Sequence, residues 1–133
     1  AMALFGLVFL VACQQGQTLV VGKQVEVQSG AYFEISTEEL QSMLKNEDFT
    51  LVNVHIPFDG DIPNTDLSIP YDQIAQYLDQ LPADKNAKIV LYCRSDNMST
   101  TASETLVGLG YTNVYNLDGG MVAWENSGRK IER

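Results

Sequence analysis

One run of residues carries the types and spacing for nucleophilic chemistry: Cys93-Arg94-Ser95-Asp96-Asn97-Met98-Ser99. It follows Lys88 to Tyr92, KIVLY, a continuous apolar stretch of the kind buried inside a parallel sheet. It precedes a helical pattern with Ala102, Leu106 and Leu109, expected to start near Ser99 and close at Gly110. A loop wrapped before a helix N-terminus points successive backbone N–H groups inward and forms an anion nest. The helix dipole adds partial positive charge at the same end. Both favour thiolate over thiol at Cys93, and the thiolate is the nucleophile. The same nest can hold the charge of a persulfide. The competing reading is a buried, inert cysteine that closes a core strand.

The remaining candidates are few. Cys13 and Cys93 are the only cysteines and His55 the only histidine. Two cysteines are too few for a disulfide scaffold, and their settings differ. A zinc site would need carboxylates at unusual spacing, so neither metal nor cofactor is expected. His55 closes the apolar run Phe49 to Val54 and can polarise a substrate, assist the thiol, or serve as a structural histidine. Arg94 is the loop's only cation; it can contact an anion or pair with a nearby acid at the surface. Asp59 and Asp61 read as solvated loop charges.

Charge narrows the partners. Eight basic and seventeen acidic residues give a formal net charge of −9. That argues against general affinity for nucleic acid or anionic lipid, both of which need a positive field. Anionic substrates meet an unfavourable long-range field and must be caught by local groups.

Elements that position the loop can be read along the chain. Thr18 to Val27 gives two β-prone runs around Gly22-Lys23, a short hairpin, broken by Ser29-Gly30. Ser36-Thr37-Glu38-Glu39 is a capping box and predicts a helix from Thr37 to Lys45. Phe49 to Val54 reads as a buried strand, ended by Pro57. Phe58 to Ser68 reads as loop. Ile74, Leu78 and Leu81 predict one helical face after Ile69-Pro70. Asn113 to Leu117 is a further strand, and Met121 to Asn126 a last short helix. Alternating strands and helices predict an α/β domain with a mainly parallel sheet and helices on both faces. Ligands in such sheets sit beyond the carboxyl ends of the strands, where Cys93 falls. One domain is expected over 32–133, a tether with the short hairpin over 14–31, and a separate leading segment over 1–13.

That leading segment, Met2 to Ala12, is apolar and uncharged. It is too short for a membrane-spanning helix of about 20 residues and resembles the core of a secretory signal. Leu10-Val11-Ala12-Cys13 resembles a bacterial lipoprotein cleavage box. That resemblance implies Cys13 as the lipid-attachment site, an extracytoplasmic domain tethered to a membrane by lipid alone, and a polar tether after it. The competing reading is an apolar N-terminal strand or helix packed on the domain.

The distant motifs agree on a family. IVLYCRSDNMS resembles the active-site loop of the rhodanese family. LGYTNVYNLDGGMVAW is similar to that family's closing signature, with Gly110-Tyr111, Asn113-Val114-Tyr115, Gly119-Gly120 and Ala123-Trp124 in the family's order. Ile69-Pro70 matches as well, over a resemblance spanning Tyr32 to Ile131. It implies a rhodanese-like fold and sulfur transfer. Cys93 takes a sulfane sulfur from a small donor such as thiosulfate, a persulfide or a polysulfide. It holds the sulfur as persulfide, cradled by the backbone N–H groups of Arg94, Ser95, Asp96, Asn97, Met98 and Ser99, and passes it to a thiol or cyanide. Asp96 stands where a glycine is common and Met98 where a basic residue or threonine is common, so weak use of thiosulfate is expected. Asn53 and His55 replace an Asp and an Arg that form a supporting ion pair in many members. A phosphatase-type branch is disfavoured, because the positions of its histidine and arginine hold Tyr92 and Ser99. A non-catalytic binding or sulfur-carrier module is the other alternative.

Overall fold

A computed structural model describes residues 19–133. The signal-like segment, Cys13 and the start of the tether lie outside the described residues. β1 (Lys23–Val27) and β2 (Gly30–Ile35) form an antiparallel hairpin. β3 (Thr50–Asn53), β4 (Leu67–Ser68), β5 (Ile89–Tyr92) and β6 (Val114–Leu117) complete a six-stranded sheet in the order β1-β2-β6-β5-β3-β4. Only the hairpin is antiparallel; the other pairings are parallel. The expected mainly parallel α/β sheet is therefore what the chain forms.

Helices cover both faces, as the pattern required. α1 (Thr37–Asn46) and α3 (Gly120–Asn126) set Leu40, Met43, Met121 and Trp124 against Leu51, Val90, Tyr92 and Leu117. α2 (Asn97–Gly108) sets Ala102, Leu106 and Val107 against Val52, Ile89, Leu91 and Val114. All four residues of β5 are buried, which is why its sequence is apolar without alternation. Each fully buried Leu, Ile or Val is worth about 1.5–3 kcal/mol over exposure, so β5 anchors the core on both faces of the sheet. The capping box holds: Ser36 Oγ accepts from Glu39 N at 3.1 Å, and Glu39 Oε1 accepts from Ser36 N at 3.1 Å. At the end of α2, Gly110 N donates to Val107 O at 3.0 Å and Tyr111 N to Leu106 O at 3.1 Å, the paired bonds of a Schellman close.

Five local expectations are corrected. The hairpin turns at Gln28-Ser29, not at Gly22-Lys23. Gly22 is instead a close approach: a Cβ there would lie 2.7 Å from Glu34 O. The hairpin's second strand pairs with β6, so the sheet begins at Lys23, ahead of Tyr32. The helix expected over Ile74 to Leu81 is two 3-10 segments, Tyr71–Gln76 and Leu78–Gln80. Pro70 and Pro82 bound the stretch, and Tyr77 (φ −119°, ψ 26°) breaks it, yet Ile74 and Leu81 still reach the core. Within the Phe58 to Ser68 loop, Leu67–Ser68 forms the edge strand β4, too short to show an alternation. α2 starts at Asn97, before the expected Ser99.

Candidate functional site

The candidate site lies at the carboxyl end of β5. Cys93 is 2% exposed and packs on the α2 face of the sheet. Its Sγ lies 3.3 Å from Ser99 Oγ, and Ser99 Oγ donates to Asp96 O at 3.1 Å. Ser99 itself is fully buried. The loop therefore curls back over its own sulfur, with its last residue touching its first.

Backbone orientation follows from the bonds to α3. Met121 N donates to Cys93 O and Val122 N to Arg94 O, each at 3.0 Å. Gly120 packs against Ser95 O as well, since a Cβ there would lie 2.7 Å from it. In a planar trans peptide the C=O and the following N–H point opposite ways. With the carbonyls of Cys93, Arg94 and Ser95 turned toward α3, the N–H groups of Arg94, Ser95 and Asp96 turn away from it. The N–H groups of Asn97, Met98 and Ser99 open the first turn of α2 and have no intrahelical acceptor. Among the described residues, no N–H from Arg94 to Ser99 donates to a protein acceptor. The loop that follows this buried thiol thus carries six amides without a protein acceptor, donors suited to a negative charge on or beyond the sulfur.

A family model for the rhodanese-like domain matches residues 36–127. The chain belongs to the rhodanese-like family. A relative named a sulfurtransferase, from Allochromatium vinosum, is 36% identical over 102 residues, covering 74% of this chain and 92% of that protein. A tRNA uridine(34) hydroxylase of Erwinia tasmaniensis is 30% identical over 76% of this chain, which spans 30% of that protein. Among solved structures, the rhodanese-like domain protein from Staphylococcus aureus superposes with a TM-score of 0.62 at 31% identity, over 75% of this chain and 98% of that one.

In this rhodanese-like domain the loop side chains differ from expectation. Asp96 does not face the bowl with its carboxylate; Oδ1 accepts from Gly119 N at 3.0 Å. Only its amide belongs to the cradle. Met98 is half-buried against the α2-side core, while Arg94, Ser95 and Asn97 are exposed. Among the described residues Arg94 joins no ion pair. Its charge still reaches Glu125, whose carboxyl is held low mainly by the hydrogen bond from Arg133. Asn53 and Tyr92 are register partners on the opposite face from Cys93. Asn53 Nδ2 donates to Gly60 O and Asp61 Oδ1, both at 2.9 Å, and Asn53 Oδ1 accepts from His55 N at 3.0 Å. Tyr92 Oη accepts from Ile62 N at 3.1 Å, and burial raises its pKa. These two residues brace the loop after β3. The half-buried His55 ring makes no hydrogen bond to Cys93 or the sulfur loop. Asp61 is not a solvated charge: besides Asn53, its N–H and C=O pair with Glu132 at 2.8 Å. Asp59 faces Arg133 at 3.9 Å.

Two features escaped the sequence reading. Carboxylates gather beside the loop: burial, then Asp118 and Asp96, raise the pKa of Glu34 on β2. Asn116, fully buried on β6, pairs in register with Leu91 and lies on the same sheet face as Cys93; its amide has no partner in the protein. An alternating strand pattern carries no signal for either.

Proposed function

We propose that this chain is a sulfurtransferase that moves a sulfane sulfur through a Cys93 persulfide. The observation that carries the reading is a loop of six unpartnered amides that begins at one buried thiol and folds its last residue back onto it. The Cys93 thiolate attacks the outer sulfur of the donor. A Cys93–sulfur bond forms, the donor's sulfur–sulfur bond breaks, and sulfite leaves thiosulfate with the bonding pair. The amides of Arg94 to Ser99 take the charge of the new terminal sulfur. A thiolate or cyanide acceptor then attacks that sulfur, and Cys93 leaves as thiolate, so no oxidant or reductant is consumed. Burial holds the reacting atoms away from bulk water, which strengthens each amide contact.

The surroundings favour a donor of low charge. Glu34, Asp96 and Asp118 cluster beside the loop, and Arg94 is its only cation. Carboxylates within about a Debye length, ~10 Å at 0.1 M salt, repel the thiosulfate dianion more than a singly charged persulfide. With cyanide as acceptor and thiocyanate as readout, kcat/KM for thiosulfate should lie about tenfold below that for cysteine persulfide in dilute buffer. Salt near ~0.5 M should narrow that gap by screening. A thiosulfate rate that falls with salt would mean that Arg94 outweighs the acids. No thiocyanate from either donor would refute the enzyme reading.

The second reading is a non-catalytic binding or sulfur-carrier module, and the near-complete burial of Cys93 favours it. For location, we propose an extracytoplasmic protein tethered through lipid on Cys13, supported by the apolar run and the LVAC box. Metabolic labelling of the full-length chain with a fatty-acid probe should mark wild type and not Cys13→Ala; equal labelling of both would exclude this anchor.

A further inference from the structure

We propose that Asp96 is a positioning residue: its carboxylate latches the sulfur loop to the start of α3 and thereby sets which way the cradle's amides point. The inference rests on the persulfide reading for its consequence, but the latch itself is geometric. Three bonds of equal length join the loop to one short segment. Gly119 N donates to Asp96 Oδ1, Met121 N to Cys93 O, and Val122 N to Arg94 O, all at 3.0 Å. Two of these acceptors are backbone carbonyls, available whatever the side chains. The third exists only because position 96 carries a side-chain oxygen, and it joins segments 23 residues apart in sequence.

Asp96 also has a second set of contacts, to the reacting side of the loop. Its carbonyl accepts from Thr100 N at 2.9 Å, closing the first turn of α2, and from Ser99 Oγ at 3.1 Å. Ser99 Oγ in turn lies 3.3 Å from Cys93 Sγ. One residue thus ties α3 on one side of the loop to the hydroxyl on the sulfur on the other. The acceptor is a carboxylate, and a hydrogen bond to a charged group generally contributes more than one to a neutral group. The carboxylate therefore trades some repulsion of an anionic donor for a fixed loop. Without it, the peptide between Ser95 and Asp96 can rotate and the Asp96 amide loses its direction, while the Asp96 carbonyl still holds the Asn97 amide through Thr100 and Ser99.

The test compares Asp96→Ala with Asp96→Asn in the full chain. Both remove the charge, but Asn keeps an oxygen to accept from Gly119. Three quantities are read: amide hydrogen exchange at Gly119, the limiting rate of Cys93 alkylation by iodoacetamide at high pH, and kcat and KM with thiosulfate and cyanide. In Asp96→Ala, exchange at Gly119 should rise about tenfold and kcat should fall about tenfold, the scale of one lost hydrogen bond. KM for thiosulfate should not rise, because a repelling charge is gone. Asp96→Asn should recover most of the lost kcat and the Gly119 protection. Equal behaviour of Ala and Asn would reduce Asp96 to a charge and overturn the latch; so would an Ala variant matching wild type in exchange and kcat. If Asp96→Ala does not fold, Asp96→Ser, whose side chain is too short to span to Gly119, takes its place. If wild type takes up no sulfur, the sulfurtransferase reading fails, and exchange and alkylation still decide the latch.

Discussion

Replacing Cys93 by serine is expected to lower sulfur transfer by at least about a thousandfold while leaving the fold in place. The reason lies in what the loop amides can stabilise. A hydroxyl at this position stays protonated near neutral pH and cannot carry a sulfane sulfur. The structural cost is small by comparison. The serine hydroxyl can still donate to Ser99 Oγ, which lies within reach of the present sulfur, so destabilisation should stay near ~1 kcal/mol. Thiocyanate release by Cys93→Ser and wild type, with a thermal melt of each, checks both parts. Transfer that survives in a folded Cys93→Ser protein would remove the nucleophile from the account. Cellular function that survives the loss of transfer would favour the binding-module reading.

The second large effect is expected at Gly120, which contacts the loop only through backbone. Gly120 has φ +54°, and an added Cβ would run into Cys93 O, approach Ser95 O to 2.7 Å and the Arg94 carbonyl carbon to 2.8 Å. These are main-chain atoms and cannot swing aside as a side chain can. They are also the carbonyls whose orientation turns the loop amides away from α3. Gly120→Ala must therefore push either α3 or the loop. The left-handed backbone and the clash together should cost on the order of 3 kcal/mol. A shift of about 1 Å in the amides should lower kcat by about a hundredfold. Kinetics on the folded fraction, with the melting midpoint alongside, separates the two. A Gly120→Ala protein with wild-type kcat would mean that α3 does not set the loop's geometry.

What the sequence made legible is what local chemistry decides. KIVLY announced the buried central strand, Ser36 and Glu39 the start of α1, and Gly110 the close of α2, because each depends on residues within one or two turns. Cys93 could be placed at the sheet's carboxyl edge by the same reasoning. The misses lie where distant segments meet. The turn at Gln28-Ser29 is set by the register of β2 on β6, and not by the more turn-like Gly22. After Pro70, Ile74 and Leu81 reach the core without the predicted helix. In the site, Asp96 stands where a glycine is common, and nothing local to it shows that Gly119 takes its carboxylate. Asn53 looked like half of a lost ion pair, yet it holds the loop at Gly60 and Asp61 on the far face of the sheet. Residue types fixed which atoms were available; only the packing of α3 and the β3 loop decided where they point.

The central claim is that the loop amides after Cys93 exist to hold a persulfide. Its most direct test is an intact mass of the reduced, folded chain after incubation with thiosulfate, and separately with cysteine persulfide, followed by removal of the donor. A gain of one sulfur atom is expected, located on Cys93 by peptide mapping, absent from Cys93→Ser and lost on adding cyanide. A chain whose mass stays unchanged with both donors would contradict it.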